Sequence, residues 1–167
     1  MTRAVLSVGS NLGDRVGHLR LALETLGPAV RAVSPVYETA PWGPVPQDDY
    51  LNAVVVVDDP EVTARGWLER AWACERAAGR TRDVRWGPRT LDVDVVHVEG
   101  VVSDEPELVL PHPRAHERAF VLRPWLDVEP TAELPGHGPV AALLAALPED
   151  ERAGVRRRDD LALGVGH

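Results

Sequence analysis

The segment Leu91-Asp92-Val93-Asp94-Val95 constrains the fold more than any other stretch, because its strict alternation suits a strand buried on one face only. Leu91, Val93 and Val95 belong to the apolar face, and Asp92 and Asp94 to the other. The rise of a strand sets the two aspartate Cα atoms about 6.7 Å apart. Two readings stand at this point. The aspartates are ordinary solvated groups, or they converge on a pair of hard cations about 3.5–4 Å apart, as in two-metal phosphoryl chemistry. Aspartate is depleted in strands, and two like charges on one face repel. The second reading therefore needs positive partners, and Arg85-Trp86-Gly87-Pro88-Arg89-Thr90 runs directly into this strand.

Periodicity places the other elements around it. A strand is predicted over residues 4–9, then a helix over 15–26 capped by Asp14 and closed by Gly27-Pro28. A strand near 30–38 precedes a breaker-rich loop over 40–49, and a valine-rich strand covers 50–58. A helix over 62–78 stops at Gly79, the arginine-rich loop 80–89 leads into a strand at 91–98, and Val101-Val102-Ser103 forms a short return strand. The order β-α-β-β-α-β predicts an α+β fold on the ferredoxin-like plan, an antiparallel sheet with both helices on one face. The opposite face is expected to be open. Tyr50, Asn52, Asp92 and Asp94 would share it, walled by the loops 40–49 and 80–89. A Pro-rich connector at 110–114, a helical piece at 114–122 and a helix near 139–147 follow, and the charged tail after Pro148 is expected to be a surface extension. The expectation is one domain over 1–167, with its core at about 4–147 and the tail at 148–167.

Composition narrows the chemistry. The formal net charge of −8 argues against a nucleic-acid surface. All 18 Lys+Arg residues are arginine, which excludes a Schiff-base lysine and a Walker-type phosphate loop. Phosphate would have to be held by arginine forks, backbone amides and metal. The single cysteine, Cys74, rules out an intrachain disulfide, fits a cytoplasmic setting and reads as a small core residue. No apolar run is long enough for a membrane span, and the N-terminal run is too short for a signal peptide.

Several ordered segments carry a resemblance: Gly9-Ser10-Asn11-Leu12-Gly13, Tyr37-Glu38-Thr39, Tyr50-Leu51-Asn52, Glu75 through Arg80, Arg85 to Asp94, Pro111-His112-Pro113-Arg114 and Arg118-Ala119-Phe120. Over residues 4 to 130 the chain resembles the 6-hydroxymethyl-7,8-dihydropterin pyrophosphokinases of folate biosynthesis. The resemblance implies transfer of diphosphate from ATP to the pterin hydroxymethyl group, with AMP released. It implies two Mg²⁺ ions held by Asp92 and Asp94, and Arg80 and Arg89 flanking the phosphates as catalytic groups. It assigns Arg82, Trp86, His112 and Arg118 to ATP. Tyr50 and Phe120 would sandwich the pterin, Asn52 would meet its edge, and Thr39 to Trp42 would supply backbone contacts. Trp67 and Trp72 are expected to pack within their helix. The implied partners are the two small-molecule substrates alone, with no nucleic acid and no membrane, and the chain is expected to be a monomer. Three departures from the family pattern stand out: Asp83 in a shortened arginine loop, Trp42, and Glu107.

Two rival classes share the predicted fold or metal pair. An RNA-binding module would display aromatics on its central strands, where this chain offers carboxylates and valines. A two-metal nuclease would need further carboxylate or histidine ligands besides the dense pair.

Overall fold

Alternation in the first strand sorts the chain into layers. In the computed structural model, which describes residues 3–40, 48–79 and 90–163, that strand is β1 (Arg3–Ser10). It is followed by α1 (Arg15–Leu26), β2 (Val30–Val33), β3 (Tyr37–Thr39), β4 (Tyr50–Asp58), α2 (Ala64–Ala77) and β5 (Asp92–Val98). The hairpin β6 (Ser103–Glu105) and β7 (Leu108–Leu110), α3 (Ala119–Val128) and the short pair β8 (Glu133–Leu134) and β9 (Gly138–Pro139) come next. The chain closes with α4 (Val140–Ala146), α5 (Glu149–Ala153) and β10 (Arg156–Arg157).

The main sheet runs β10-β3-β4-β1-β5, with β2 also paired to β4, and every pairing is antiparallel. Both predicted helices form where expected. The Asp14 side chain accepts from Gly17 N–H at 3.0 Å at the start of α1, and Thr63 does the same for Gly66 at the start of α2. Leu6, Val8, Leu51, Val55, Val93 and Val95 face these helices and make one core with Leu19, Leu23, Trp67 and Ala71. Cys74 belongs to that core, and burial pushes its thiol up to about 11, with Glu75 adding to the shift.

The structure corrects five expectations. The strand near 30–38 is two strands, because Pro35 has no N–H to give, while Ser34 ties across to β4 through both its N–H and its Oγ. The helical piece at 114–122 is a 3-10 turn, Ala115–Glu117, and then α3, separated by Arg118 in an extended conformation. Val101 makes only an isolated bridge to Val98, and the hairpin forms later, at β6 and β7. The second face of the sheet is not wholly open. Val5, Val54 and Val96 pack there against Val121, Leu122 and Trp125 of α3 and Val140 of α4, a second core. The charged tail also does more than extend along the surface, since β10 joins the sheet beside β3.

Candidate functional site

Strand register assembles the site. On the second face, Asn52 of β4 lies opposite Gly9 of β1, and Gly9 lies opposite Asp92 of β5. The next row is Val54, Ser7 and Asp94, and the row after it reaches Val5 and the apolar patch under α3. One face is thus divided along its strands into an apolar half and a polar half. Asp92 and Asp94 lie side by side on it, as the alternation predicts, and both are half-buried. Two strand spacings separate Asn52 from Asp92, about 10 Å.

Gly9 holds the centre of that row. A Cβ built there would stand 2.7 Å from Asn52 Oδ1 and 3.4 Å from Tyr50 Cδ1. The residue is required by this close approach, and a glycine inside a strand is the signal that could have marked it singly. Asn52 is buried, and its Nδ2 donates to Thr39 Oγ1 at 2.8 Å. Thr39 pairs with Tyr50, so three residues assigned to the pterin by resemblance, Thr39, Tyr50 and Asn52, lie together. Beside them Tyr37, opposite Asn52, donates from its hydroxyl to Asp127 of α3. Burial, then that hydrogen bond and the Asp127 charge, push the Tyr37 hydroxyl up to about 12.

At the other end of the row, His112 is anchored to β5 by its N–H, which donates to Val96 O at 2.8 Å. Its Nδ1 accepts from Arg114 N–H at 3.2 Å, so the neutral ring carries its proton on Nε2. Burial, then the Arg118 charge and, more weakly, the Arg114 charge together push the His112 pKa down to about 4, against the opposing pull of Asp92. His112 is therefore a neutral donor at ordinary pH. Arg118, at the head of α3, places its guanidinium 5.5 Å from the centre of the half-buried Phe120 ring.

Asp92, Asp94 and His112 also line a cleft of about 310 Å³ along the outer edge of β5, walled by Leu68 and Trp72 of α2 and by Leu108 of β7. Trp67 is wholly buried and the partly buried Trp72 packs against the same core, as expected, but Trp72 also walls the cleft, with the Arg65 guanidinium 5.4 Å over its ring. Arg65 pairs in turn with Glu107 at 2.8 Å. Glu75, buried in α2, accepts from Val93 N–H at 3.0 Å and so seals part of the β5 edge. Arg80, Arg82, Trp86, Arg89 and Trp42 lie outside the described residues.

Among the described residues no group of three or more His, Cys, Asp or Glu gathers to hold a metal. Two adjacent carboxylates suit a hard cation that takes most of its ligands from phosphate oxygens and water, which is how Mg²⁺ is commonly held.

Comparisons with known proteins identify the family and the fold. The model of the 7,8-dihydro-6-hydroxymethylpterin-pyrophosphokinase family matches residues 5–130. Relatives named 2-amino-4-hydroxy-6-hydroxymethyldihydropteridine pyrophosphokinase are similar over nearly the whole chain. The one from Mycobacterium tuberculosis is 52% identical over 93% of this chain and 89% of its own. The one from Mycobacterium leprae is 54% identical over 93% and 88%, and the one from Pseudomonas aeruginosa 38% over 87% and 92%. Among solved structures, an HPPK-DHPS in complex with substrates aligns with a TM-score of 0.66 at 11% identity, over 87% of this chain and 44% of that one. A Plasmodium falciparum HPPK-DHPS aligns at 0.63 and 14% identity, over 87% and 43%. The chain thus spans under half the length of these solved chains, and at such identity the likeness concerns the fold, a mixed α/β arrangement with an antiparallel sheet.

Proposed function

The chain belongs to the 7,8-dihydro-6-hydroxymethylpterin-pyrophosphokinase family, and we propose that the polar half of its second sheet face performs that family's reaction, in which ATP gives diphosphate to 6-hydroxymethyl-7,8-dihydropterin and leaves as AMP, a step of folate biosynthesis. The observation that carries this reading is the transverse row Asn52, Gly9, Asp92. A hydrogen-bonding amide stands at one end and a carboxylate pair at the other. The distance between them, about 10 Å, lets one flat heterocycle reach a phosphate chain.

Each substrate has its own end. The pterin takes its edge contacts from Asn52, and Tyr50 and Phe120 offer it π faces. The nucleotide lies in the cleft along β5, its base against Leu68, Trp72 and Leu108 and its phosphates toward Asp92, Asp94 and His112. His112 Nε2–H and the Arg118 guanidinium donate to phosphate oxygens, and the resemblance assigns Arg80, Arg82, Arg89 and Trp86, which precede β5 in sequence, to the nucleotide as well. Two Mg²⁺ ions, held by Asp92 and Asp94, would neutralise the triphosphate and stabilise charge in an in-line transition state. The pterin hydroxymethyl oxygen bonds to the β-phosphorus, the bond from that phosphorus to the oxygen bridging the α-phosphate breaks, and the hydroxyl proton goes to solvent. No covalent enzyme intermediate is needed, so positioning and electrostatics supply the rate.

The strand order and the two helices on one face support the ferredoxin-like plan as the scaffold. We read residues 1–167 as one domain, since β10 near the end of the chain pairs into the main sheet. The reading is of a monomer in the cytoplasm, where a lone buried thiol stays reduced. Among the described residues no helix is long and apolar enough to cross a membrane.

The test is product analysis with Mg-ATP and hydroxymethyldihydropterin. One AMP per pterin diphosphate, and none without pterin, is expected. ATP hydrolysis at the same rate without pterin would overturn the reading.

A further inference from the structure

The C-terminal segment reaches the pterin end of the site through charge. Strand β3 has only three residues, and its outer edge is covered by the two residues of β10. Main-chain pairing over so short a length is weak by itself. Three arginines reinforce it around one carboxylate. Glu38, in the middle of β3, meets Arg158 Nη1 at 2.7 Å, Arg15 Nη1 at 3.0 Å and Arg156 Nη2 at 3.9 Å. Arg156 also pairs with Asp49 at 2.8 Å, and Arg15 donates to Asp49 O at 3.0 Å. Arg158 adds a backbone bond, its N–H donating to Val36 O at 2.8 Å.

The two anchored residues flank the site. Glu38 is adjacent in sequence to Thr39, which holds the Asn52 amide, and Asp49 is adjacent to Tyr50. Glu38 is placed to be held firmly. Burial alone would raise its pKa, but hydrogen bonds from Arg15 and Arg158 outweigh burial and hold its carboxyl below the ordinary range. Arg157, between the two clamping arginines, pairs instead with Asp159.

We propose that Arg156 and Arg158 form a clamp which, through Glu38 and Asp49, positions Thr39, Tyr50 and Asn52 for the pterin ring. They are positioning residues, for they act on the substrate through others. The inference rests on the proposed function, since it names what sets the pterin end of that site. It separates this end from the nucleotide end, which is built on β5, α2 and the His112 connector and takes no contact from β10 in the interactions described.

The test is calorimetry of the full chain with hydroxymethylpterin and, separately, with Mg-ATP, on wild type, the Arg156→Ala/Arg158→Ala double variant and Arg157→Ala. Loss of two partly exposed ion-pair groups should weaken pterin binding about five- to tenfold and change Mg-ATP affinity less than about twofold. Arg157→Ala should behave as wild type, and an Arg156→Lys/Arg158→Lys variant should recover part of the loss. Because the pterin is neutral, high salt should weaken its binding to wild type but hardly to the double alanine variant. Unchanged pterin affinity in the double variant would overturn the clamp, as would equal losses for both ligands in step with a fall in Tm. A wild-type chain that binds no pterin at all would overturn the functional reading and the clamp with it.

Discussion

The two faces of the sheet are made from the same strands and do different work. Toward α1 and α2, residues such as Leu6, Val55, Val93 and Val95 form an unbroken apolar layer. On the other face their sequence neighbours split into two zones. Val5, Val54 and Val96 bind α3 and α4, and Gly9, Asn52, Asp92 and Asp94 form the polar row proposed as the site. This zone can be so polar because the opposite face and the α3 zone already hold the strands in place. The rigid frame fixes the carboxylate pair without asking the site residues to contribute to folding.

The sharpest way to break this comparison is to cut each face at β5 and β1. Asp92→Ala or Asp94→Ala should remove measurable diphosphate transfer, a loss of several kcal/mol in transition-state stabilisation, with Tm unchanged within a few degrees. Leu6→Ala, on the helix face, should cost about 2–5 kcal/mol of stability while the folded fraction keeps its kcat. Denaturant melts and steady-state assays on the same preparations would check both. Near-normal activity of either aspartate variant in Mg²⁺ would dissolve the division of labour.

Gly9 tests the centre of the row. Gly9→Ala places a carbon where Asn52 Oδ1 and Tyr50 now approach, so the pterin end must rearrange. Pterin affinity should fall at least as far as in Asn52→Ala, by about tenfold or more. Asn52→Ala itself should cost about 1–3 kcal/mol of pterin binding and leave ATP binding near wild type. Titrations of each ligand separately decide the matter, and equal losses for both would make Asn52 a purely structural residue.

The smallest expected effect concerns acid stability. The folded Glu38 carboxyl lies below its ordinary range, so the stabilisation it gives is complete above the unfolded pKa and is lost as pH falls through the folded one. Thermal melts from pH 6 to about pH 3 should show wild type losing stability on this limb. Glu38→Gln should start lower and decline less steeply. Identical slopes in the two proteins would remove Glu38 from the acid limb.

Much of this was legible from local pattern. Alternation marked β1, β4 and β5, a 3.6-residue period marked α1 and α2, and two aspartates spaced two apart on a strand were visible as a pair. What escaped the sequence depends on contacts between distant segments. Nothing local to Arg156 and Arg157 announces a strand, because their pairing partner is β3, over a hundred residues away. The cover over Val54 depends on where α3 docks, and its apolar stripe alone does not say against which face. Trp72 reads as a helix-packing residue by period, and only the position of β7 makes it a cleft wall. Gly9 carried a local signal as a glycine inside a strand, but what approaches it, Asn52, lies on another strand and is seen only once the sheet is assembled.

The central claim is that the polar half of the second face carries both substrates and the metal pair. Its most direct test is a crystal structure of the chain with a non-hydrolysable ATP analogue, hydroxymethylpterin and Mn²⁺ in place of Mg²⁺, read by anomalous scattering. We expect two Mn²⁺ peaks about 3.5–4 Å apart between the Asp92 and Asp94 carboxylates and the triphosphate, with the pterin edge on Asn52. Metal peaks remote from β5, or a pterin bound away from Asn52 and Tyr50, would contradict it.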